Sequence, residues 1–500
     1  MNESKKYIMA FDQGTTSCRC IIFDRGGDAV SAAQQEFSQS FPRAGWVEHD
    51  PMEIWETQLS VAREAMRKRS IPPDSIAALG ITNQRETTVM WDRDTGEPLC
   101  NAIVWQCRRT AEYCEKLKDS GYEAMVKDRT GLLIDPYFSA SKIHWILENV
   151  PNARSMAESG KTLFGTIDSW LIWKLTKGRA HVTDVSNASR TMLFNIRELK
   201  WDSALLDVFE IPDRILPDVI PSGHVCGYAD AEHLGAELPI AAAIGDQQAS
   251  LFGLCCFPAG SAKCTYGTGC FVLMNTGSKI DVSGSNLLST IAWRTGGRTE
   301  YALEGSVFSA GSVVQWLRDG LGVIGSSPES ESLALSVPDA NGVYFVPAFT
   351  GLGAPWWEPR ATGTISGLTR SAGREHIVRA ALESIAFQTA DVLRAMSKDS
   401  KCEIDSLRVD GGAAENRFLL QFQADILGVP IEKSSRLEST AFGAAAMAGL
   451  AAGYFESKDE LYACLGENEI IYPAIGESER ESRVSGWHRA VGSVLAAAEK

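Results

Sequence analysis

Asp12-Gln13-Gly14-Thr15-Thr16-Ser17 sets a carboxylate, a position without a side chain and a run of hydroxyls side by side. Such a set can grip phosphate. The carboxylate can face a divalent cation through water, the glycine lets backbone approach phosphate oxygens, and the hydroxyls donate to them. The same residue types also make an ordinary hairpin turn. Tyr266-Gly267-Thr268-Gly269 and Asp410-Gly411-Gly412 carry the same two readings. Each of these turns ends an apolar strand-like run, and their recurrence along the chain favours the phosphate reading. Neither a G-x-x-x-x-G-K-[ST] loop nor a G-x-G-x-x-G loop follows a strand here, which removes the two commonest alternative phosphate cradles.

The elements that must position these turns are legible as periodic runs. Tyr7 to Phe11 and Cys18 to Phe23 flank the first turn and predict a hairpin. Lys263-Cys264-Thr265 leads into the second turn and Cys270 to Met274 leads out, so the pattern recurs about half a chain later. That echo predicts two domains of related construction. Strand-like runs at Ile76 to Ile81 and Val89 to Asp92 alternate with helical ones at Ile54 to Arg69 and Ser139 to Glu148, which argues for an α/β class. In the second half, Gly342 to Pro347 reads as a strand, and Arg374 to Met396 as a helix with Ile377, Val378, Ala381 and Ile385 at helical spacing. Leu407-Arg408-Val409 runs as a strand into Asp410-Gly411-Gly412, and a helix is expected over Glu415 to Leu427. We expect the domain boundary near residue 253, dividing the chain into 1–253 and 254–500. The small residues Pro258-Ala259-Gly260 after it could serve as a hinge.

Composition narrows the partners. A 500-residue chain with 44% hydrophobic content can bury more than one core. Its 48 Lys and Arg against 63 Asp and Glu give a net charge of -15, which would repel a nucleic-acid backbone. The amino terminus has no apolar h-region before Asp12, so no signal peptide is expected. The blandest stretch, Ala441 to Phe455, is too short for a membrane span. Twelve cysteines include the close pairs Cys18/Cys20 and Cys255/Cys256, and buried, reduced thiols in the cytoplasm are expected.

The first turn, Gly80-Ile-Thr-Asn-Gln-Arg-Glu-Thr-Thr88, Asn101-Ala-Ile-Val-Trp-Gln-Cys-Arg-Arg109 and Thr130-Gly-Leu-Leu-Ile-Asp-Pro-Tyr-Phe138 resemble the FGGY carbohydrate kinases of the actin-like ATPase superfamily. So do Gly245-Asp-Gln-Gln248, Thr265-Tyr-Gly-Thr-Gly-Cys-Phe271 and Pro347-Ala-Phe-Thr-Gly-Leu-Gly-Ala-Pro355. Among that family they are most similar to the members that act on glycerol. The resemblance runs from residue 7 to about 450. It implies two similar actin-like, ribonuclease H-like domains with mixed sheets flanked by helices, and a cleft between them. It further implies transfer of the γ-phosphate of ATP to a terminal glycerol hydroxyl, with Asp246 as the base that accepts the proton.

Residue by residue, the resemblance assigns Arg85 and Glu86 to two glycerol hydroxyls, since a diol needs one donor and one acceptor. Taken alone, that dipeptide would read as a surface ion pair. Trp105 and Phe271 become apolar walls, and Tyr137 and Gln247 further substrate contacts. Thr15, Thr16, Ser17, Arg19 and Thr268 fall near the phosphates, with Gly311, Gln315, Gly412 and Asn416 around the rest of ATP. Asp12 is the metal-facing candidate, with Asp246 reaching the same Mg²⁺ through water. A homo-oligomer, dimer or tetramer, is the family expectation. The alternatives are a kinase for a longer polyol or ketose such as xylulose, and a catalytically silent nucleotide-binding regulator.

One departure bears on control. Bacterial members inhibited by fructose 1,6-bisphosphate carry a glycine-rich loop with an arginine where this chain reads Tyr228-Ala-Asp-Ala-Glu-His-Leu-Gly-Ala-Glu-Leu238. This stretch holds no Arg or Lys, so a bis-phosphorylated sugar would meet repulsion rather than donors. Titrating fructose 1,6-bisphosphate into the protein is therefore expected to inhibit weakly or not at all; strong inhibition would refute the reading.

Overall fold

The computed structural model describes residues 5–280, 283–435 and 438–499. Strands β1 (Tyr7–Gln13), β2 (Ser17–Phe23), β3 (Ala29–Glu36), β4 (Ile76–Asn83), β5 (Gly223–Ala229) and β6 (Leu238–Gly245) form one sheet in the order β5-β6-β4-β1-β2-β3. A second sheet uses β7 (Ala262–Tyr266), β8 (Cys270–Gly277), β9 (Leu288–Thr295), β10 (Arg298–Val307), β11 (Leu407–Asp410), β12 (Ile431–Lys433) and β13 (Glu469–Ile471). Its order is β9-β10-β8-β7-β11-β12-β13. The echo heard in the sequence is topological. β1, β2 and β3 form an antiparallel meander, with β4 parallel to β1 and β6 parallel to β4. β7, β8 and β10 repeat that antiparallel order, with β9 added beyond β10 in the connection from β8, and with β11 parallel to β7 and β12 parallel to β11. Each sheet then closes on an antiparallel edge strand, β5 or β13.

Six helices matter to the site: α1 (Pro51–Lys68), α2 (Asp246–Gly253), α3 (Gly311–Gln315), α4 (Arg374–Ser400), α5 (Arg417–Leu427) and α6 (Ser439–Ala451). α1 starts earlier than its apolar run predicts because Asp50 caps it, accepting from the Met52 and Glu53 N–H groups, with Pro51 in the first turn. The helix expected from Glu415 begins at Arg417 instead. Asn416 caps it through Leu419 N, and a tight 3₁₀ turn, Gly412–Glu415, precedes it. The strand expected over Gly342 to Pro347 is confined to Tyr344–Val346.

Period-two alternation sorts each sheet into two faces. Met9 and Phe11 of β1 enter a core with Ile54 and Ala62 of α1, whereas Ile8 and Ala10 point the other way. On the second sheet Cys264, Tyr266, Val272 and Val409 face the core shared with α4 and α5. The remaining faces meet. Ile8, Ala10 and Ile244 of the first sheet share one cluster with Leu273, Trp293 and Ala302 of the second, and Phe252 of α2 and Ala445 and Met447 of α6 fill the space between. Residues 84–222 leave the first sheet as an insertion with a core of its own around Phe138, Ile143 and Phe164.

No helix among the described residues is long and apolar enough to cross a membrane. Ala441 to Phe455, the stretch weighed for that role, supplies most of α6 and is buried between the lobes. The cysteines of the described residues form no disulfide, and of them Cys100, Cys226 and Cys402 are partly exposed. In the acidic 228–238 stretch, Asp230 pairs with Lys177 and Arg179, each at 3.4 Å, and Lys177 reaches Glu232 at 2.6 Å. The cations near that loop are already engaged.

α2 and α6 touch backbone to backbone. A Cβ on Gly443 would lie 1.9 Å from the Ala249 carbonyl oxygen, and one on Gly253 would lie 2.0 Å from that of Ser439. Glycine costs a helix interior about 1 kcal/mol against alanine, so its use here reflects the need for close approach. Gly443→Ala is expected to destabilise the protein by about 1–3 kcal/mol, the usual cost of overpacking, and to lower the thermal midpoint accordingly. An unchanged midpoint would show that the two helices do not meet as described.

Candidate active site

Parallel strands β1, β4 and β6 end together. Gln13 pairs with Asn83, and Asn83 with Gly245, in one row at their carboxyl ends. The chain then continues from that edge into the Asp12–Ser17 turn, Arg85-Glu86 and Asp246, which lie where open α/β sheets bind ligands.

Asp246 opens α2 and is the partly exposed carboxylate of the group, its side chain 30% accessible. Its Oδ1 accepts from the Gln247 N–H at 2.7 Å and lies 3.2 Å from Arg85 Nε. Burial lifts its proton affinity above the ordinary aspartate range, against the pull of Arg85 and Lys263. The Gly-Asp order has a steric reason. A Cβ on residue 245 would come within 2.7 Å of Arg85 Cδ, so glycine lets the arginine lie across the strand end beside Asp246.

Arg85 and Glu86 are not the surface ion pair that the dipeptide alone would suggest: both are buried. Their mutual distance is 4.0 Å, and each has a closer partner. Arg85 Nη1 and Nη2 donate to the two oxygens of Glu304 at 2.6 and 3.0 Å. Glu86, in the left-handed region at φ 62°, accepts from Arg190 Nε at 2.6 Å. Arg190 also reaches Glu304, at 3.1 Å, while its Nη1 is buried without an acceptor. Burial works against ionisation of Glu304, but Arg190 and Arg85 outweigh it and hold its carboxyl down at about 2. Glu86 shifts the other way, because burial dominates its arginine contacts.

The aromatic candidates join this cluster. Trp105 meets the Tyr137 ring edge-on at 5.5 Å, and its indole N–H donates to Thr15 Oγ1 at 3.0 Å, tying the candidate substrate residues to the first glycine-threonine turn. Arg190 lies over the Tyr137 ring at 5.8 Å. Burial and the charge of Glu86 push the Tyr137 hydroxyl well above its usual range, so it remains a donor. Phe271 stands opposite Thr265 and Ser306, on the face of the second sheet that also carries Glu304. Gln247 Oε1 accepts from Lys263 Nζ at 2.5 Å.

Of the nucleotide candidates, Thr16 and Thr268 are exposed at their turns, and Ser17 Oγ accepts from Gln34 at 3.0 Å. The second turn rests on the start of α3: Gly311 N donates to Gly267 O at 3.0 Å and Ser312 N to Thr268 O at 3.1 Å. Gln315 is exposed on α3, and no heavy atom lies within 4 Å of a Cβ built on Gly412. Asn416 spends its side-chain oxygen on the α5 cap. Arg19 bridges Asp12 at 2.5 Å and Glu438 at 2.6 Å. Asp410, from the third turn, binds Ser250 of α2 at 3.1 Å and also Ser439 of α6, which fastens that turn to both interface helices. Among the described residues no three His, Cys, Asp or Glu side chains form a metal cluster.

Sequence reasoning missed Glu304, Arg190 and Lys263, all completely buried. One signal was present. Glu304 interrupts the apolar run Tyr301-Ala-Leu-Glu-Gly305, and Lys263 does the same in its strand. A charge inside a buried strand must find a partner.

Comparison with known proteins bears directly on this arrangement. Residues 7–253 match the N-terminal domain, and residues 262–452 the C-terminal domain, of the FGGY family of carbohydrate kinases. The chain is 58% identical over 495 residues to the glycerol kinase of a Thermoanaerobacter species, covering 99% of this chain and all of that protein. Its identity to glycerol kinase 2 of Thermotoga maritima is 56% over 490 residues, 98% of this chain and 99% of that one. It superposes on the crystal structure of Plasmodium falciparum glycerol kinase with ADP with a TM-score of 0.93 at 37% identity, over 98% of both chains. A ligand-bound xylulose kinase from Lactobacillus acidophilus shares the fold, with a TM-score of 0.89 at 24% identity over 99% of this chain and 98% of that one. The doubled sheets, the expected actin-like architecture and these matches agree: the chain belongs to the FGGY family of carbohydrate kinases.

Proposed function

We propose that the protein transfers the γ-phosphate of MgATP to a terminal hydroxyl of glycerol, giving sn-glycerol 3-phosphate and ADP. The observation that carries this reading is Asp246, a partly exposed carboxylate of raised proton affinity, set 3.2 Å from Arg85 at the edge that also bears the first glycine-threonine turn. Relatives named glycerol kinase at 56–58% identity over nearly the whole chain support the choice of a small triol.

Asp246 accepts the proton of the attacking hydroxyl as the P–O bond forms, and its position beside a fixed guanidinium orients that oxygen. Arg85 donates to one of the remaining hydroxyls and Glu86 accepts from the other. Trp105 and Phe271 flank the carbon skeleton, and Tyr137 and Gln247 complete the polar contacts. Thr15, Thr16, Ser17, Arg19 and Thr268 hold the phosphates; Gly311, Gln315, Gly412 and Asn416 surround the nucleoside. Asp12 and Asp246 offer hard carboxylate oxygens at one sheet edge, a donor set suited to Mg²⁺, which keeps several waters and takes few protein ligands. Bound there, the ion would offset the negative charge of the phosphates. Residues 1–253 and 254–500 act as the two lobes. Their approach excludes water, the rival nucleophile, and aligns the reactants, a contribution of up to about 7–11 kcal/mol.

A coupled ADP-release assay across glycerol, dihydroxyacetone, glyceraldehyde and xylulose is expected to give its highest kcat/KM with glycerol. Preference for xylulose would move the chain to another branch of the family, and ATP binding without turnover on any of them would make it a regulator. Asp246→Ala is expected to bind glycerol while kcat falls by about 10²–10⁴-fold, the usual range for a lost general base. Near-normal turnover in that variant would remove the assignment.

A further inference from the structure

The second sheet sends two charges into the substrate site, and both come from one cross-strand row. Lys263 of β7 pairs with Leu273 of β8, and Leu273 with Glu304 of β10. Directly opposed residues point to the same face, so the row presents cation, leucine and anion toward the first lobe. At about 4.8 Å between neighbouring strands, its charged ends stand roughly 10 Å apart, the scale of a small polyol with its contact residues. All three side chains are completely buried.

Each end of the row holds a residue assigned to the substrate. Glu304 takes both Nη groups of Arg85 and one of Arg190, which in turn fixes Glu86. Arg85 Nη1 also donates to Gln248 Oε1 at 3.2 Å, and its Nε stays on the side of Asp246. Lys263 donates to Gln247 Oε1 at 2.5 Å and to Thr265 Oγ1 at 2.8 Å, and no carboxylate lies within ion-pairing distance of it among the described residues. A buried lysine whose partners are a glutamine and a threonine is costly as structure alone. Leu273, between them, belongs to the core shared by the two lobes.

We propose that Glu304 and Lys263 are positioning residues for the polyol, acting through Arg85, Arg190, Glu86 and Gln247, so that the substrate site is complete only when the second lobe is in place. The inference rests on the substrate reading given above. It adds that polyol affinity and lobe approach are one property: separating the lobes withdraws the anion that orients Arg85 and the cation that orients Gln247.

Steady-state kinetics of Glu304→Gln, Glu304→Asp and Lys263→Met, varying glycerol and ATP separately and recording thermal midpoints, test this. Glu304→Gln keeps the side-chain shape and is expected to raise the glycerol KM about tenfold or more, the effect of losing a charged hydrogen-bond partner, with the ATP KM within about twofold of wild type. Glu304→Asp, which restores the charge, should recover part of the loss. Lys263→Met removes a charge that is in no direct ion pair and should also raise the glycerol KM selectively; it decides the matter if Glu304→Gln does not fold. Glycerol and ATP KM rising together, or a glycerol KM unchanged in a folded variant, overturns the proposal. A wild-type chain that releases no ADP with glycerol counts instead against the substrate reading, and the selective KM shift is then sought with whichever polyol it phosphorylates.

Discussion

Two arginine side chains, Arg85 and Arg190, lie buried where the first sheet ends. Taking a guanidinium out of water costs several kcal/mol unless its hydrogens meet acceptors of good geometry. The first lobe supplies Glu86, Asp246 and the neutral Gln248, but Glu86 serves Arg190, Asp246 touches only the Nε side of Arg85, and Gln248 Oε1 takes one Nη1 hydrogen at 3.2 Å. The carboxylate that meets both Nη groups, Glu304, belongs to the second sheet. Much of the architecture follows from this shortage. The sheets must face each other closely enough for a glutamate side chain to span the gap, and the elements between them must be thin. α2 and α6 meet that demand with Gly253 and Gly443 at their crossing, where any Cβ would collide with a carbonyl. The helix that opens on the proposed base is thus the helix that sets the spacing of the lobes.

How far the sequence revealed this depends on the distance over which each feature is specified. The hairpin around Gly14, the strand beginning at Ile76 and the long helix from Arg374 were legible because hydrophobic periodicity within a few residues decides them. Element ends were less so: Asn416 capping α5 is a local hydrogen bond that outcompetes helical continuation, and it moved the expected start from Glu415 to Arg417. The phosphate turns and Asp246 were legible as motifs. Arg85 and Glu86 were named, but their isolated reading as a surface pair failed, because burial is a property of the assembled lobes. Glu304 and Lys263 went unnoticed for the same reason. The residues that give them meaning lie far away in sequence: Arg85 is 219 positions from Glu304.

The repeated sheet explains why such distant partners meet at all. In each lobe a hairpin carries a glycine-threonine turn, and a parallel strand beside it ends in a polar residue at the same edge: β4 at Asn83 in one, β11 at Asp410 in the other. Such a repeated turn in each lobe suits the proposed triphosphate, which must be held from both sides. The copies differ where the chemistry differs. The first carries the long insertion of residues 84–222, with Trp105, Tyr137 and Arg190, whereas the second makes its long excursion between β10 and β11 and lends Lys263 and Glu304 from the strands themselves. A site divided in this way is only as well ordered as the contact between the lobes. Trp105 shows the coupling within one lobe, since its indole N–H is bonded to Thr15 of the phosphate turn at 3.0 Å while its ring packs on Tyr137 of the substrate set. Displacing the turn therefore displaces the wall of the proposed polyol pocket. Asp410 extends the linkage across the lobes through Ser250 of α2. The proposed nucleotide and polyol halves accordingly share a single framework, and Asp246, at the head of α2, stands where its strands and helices converge.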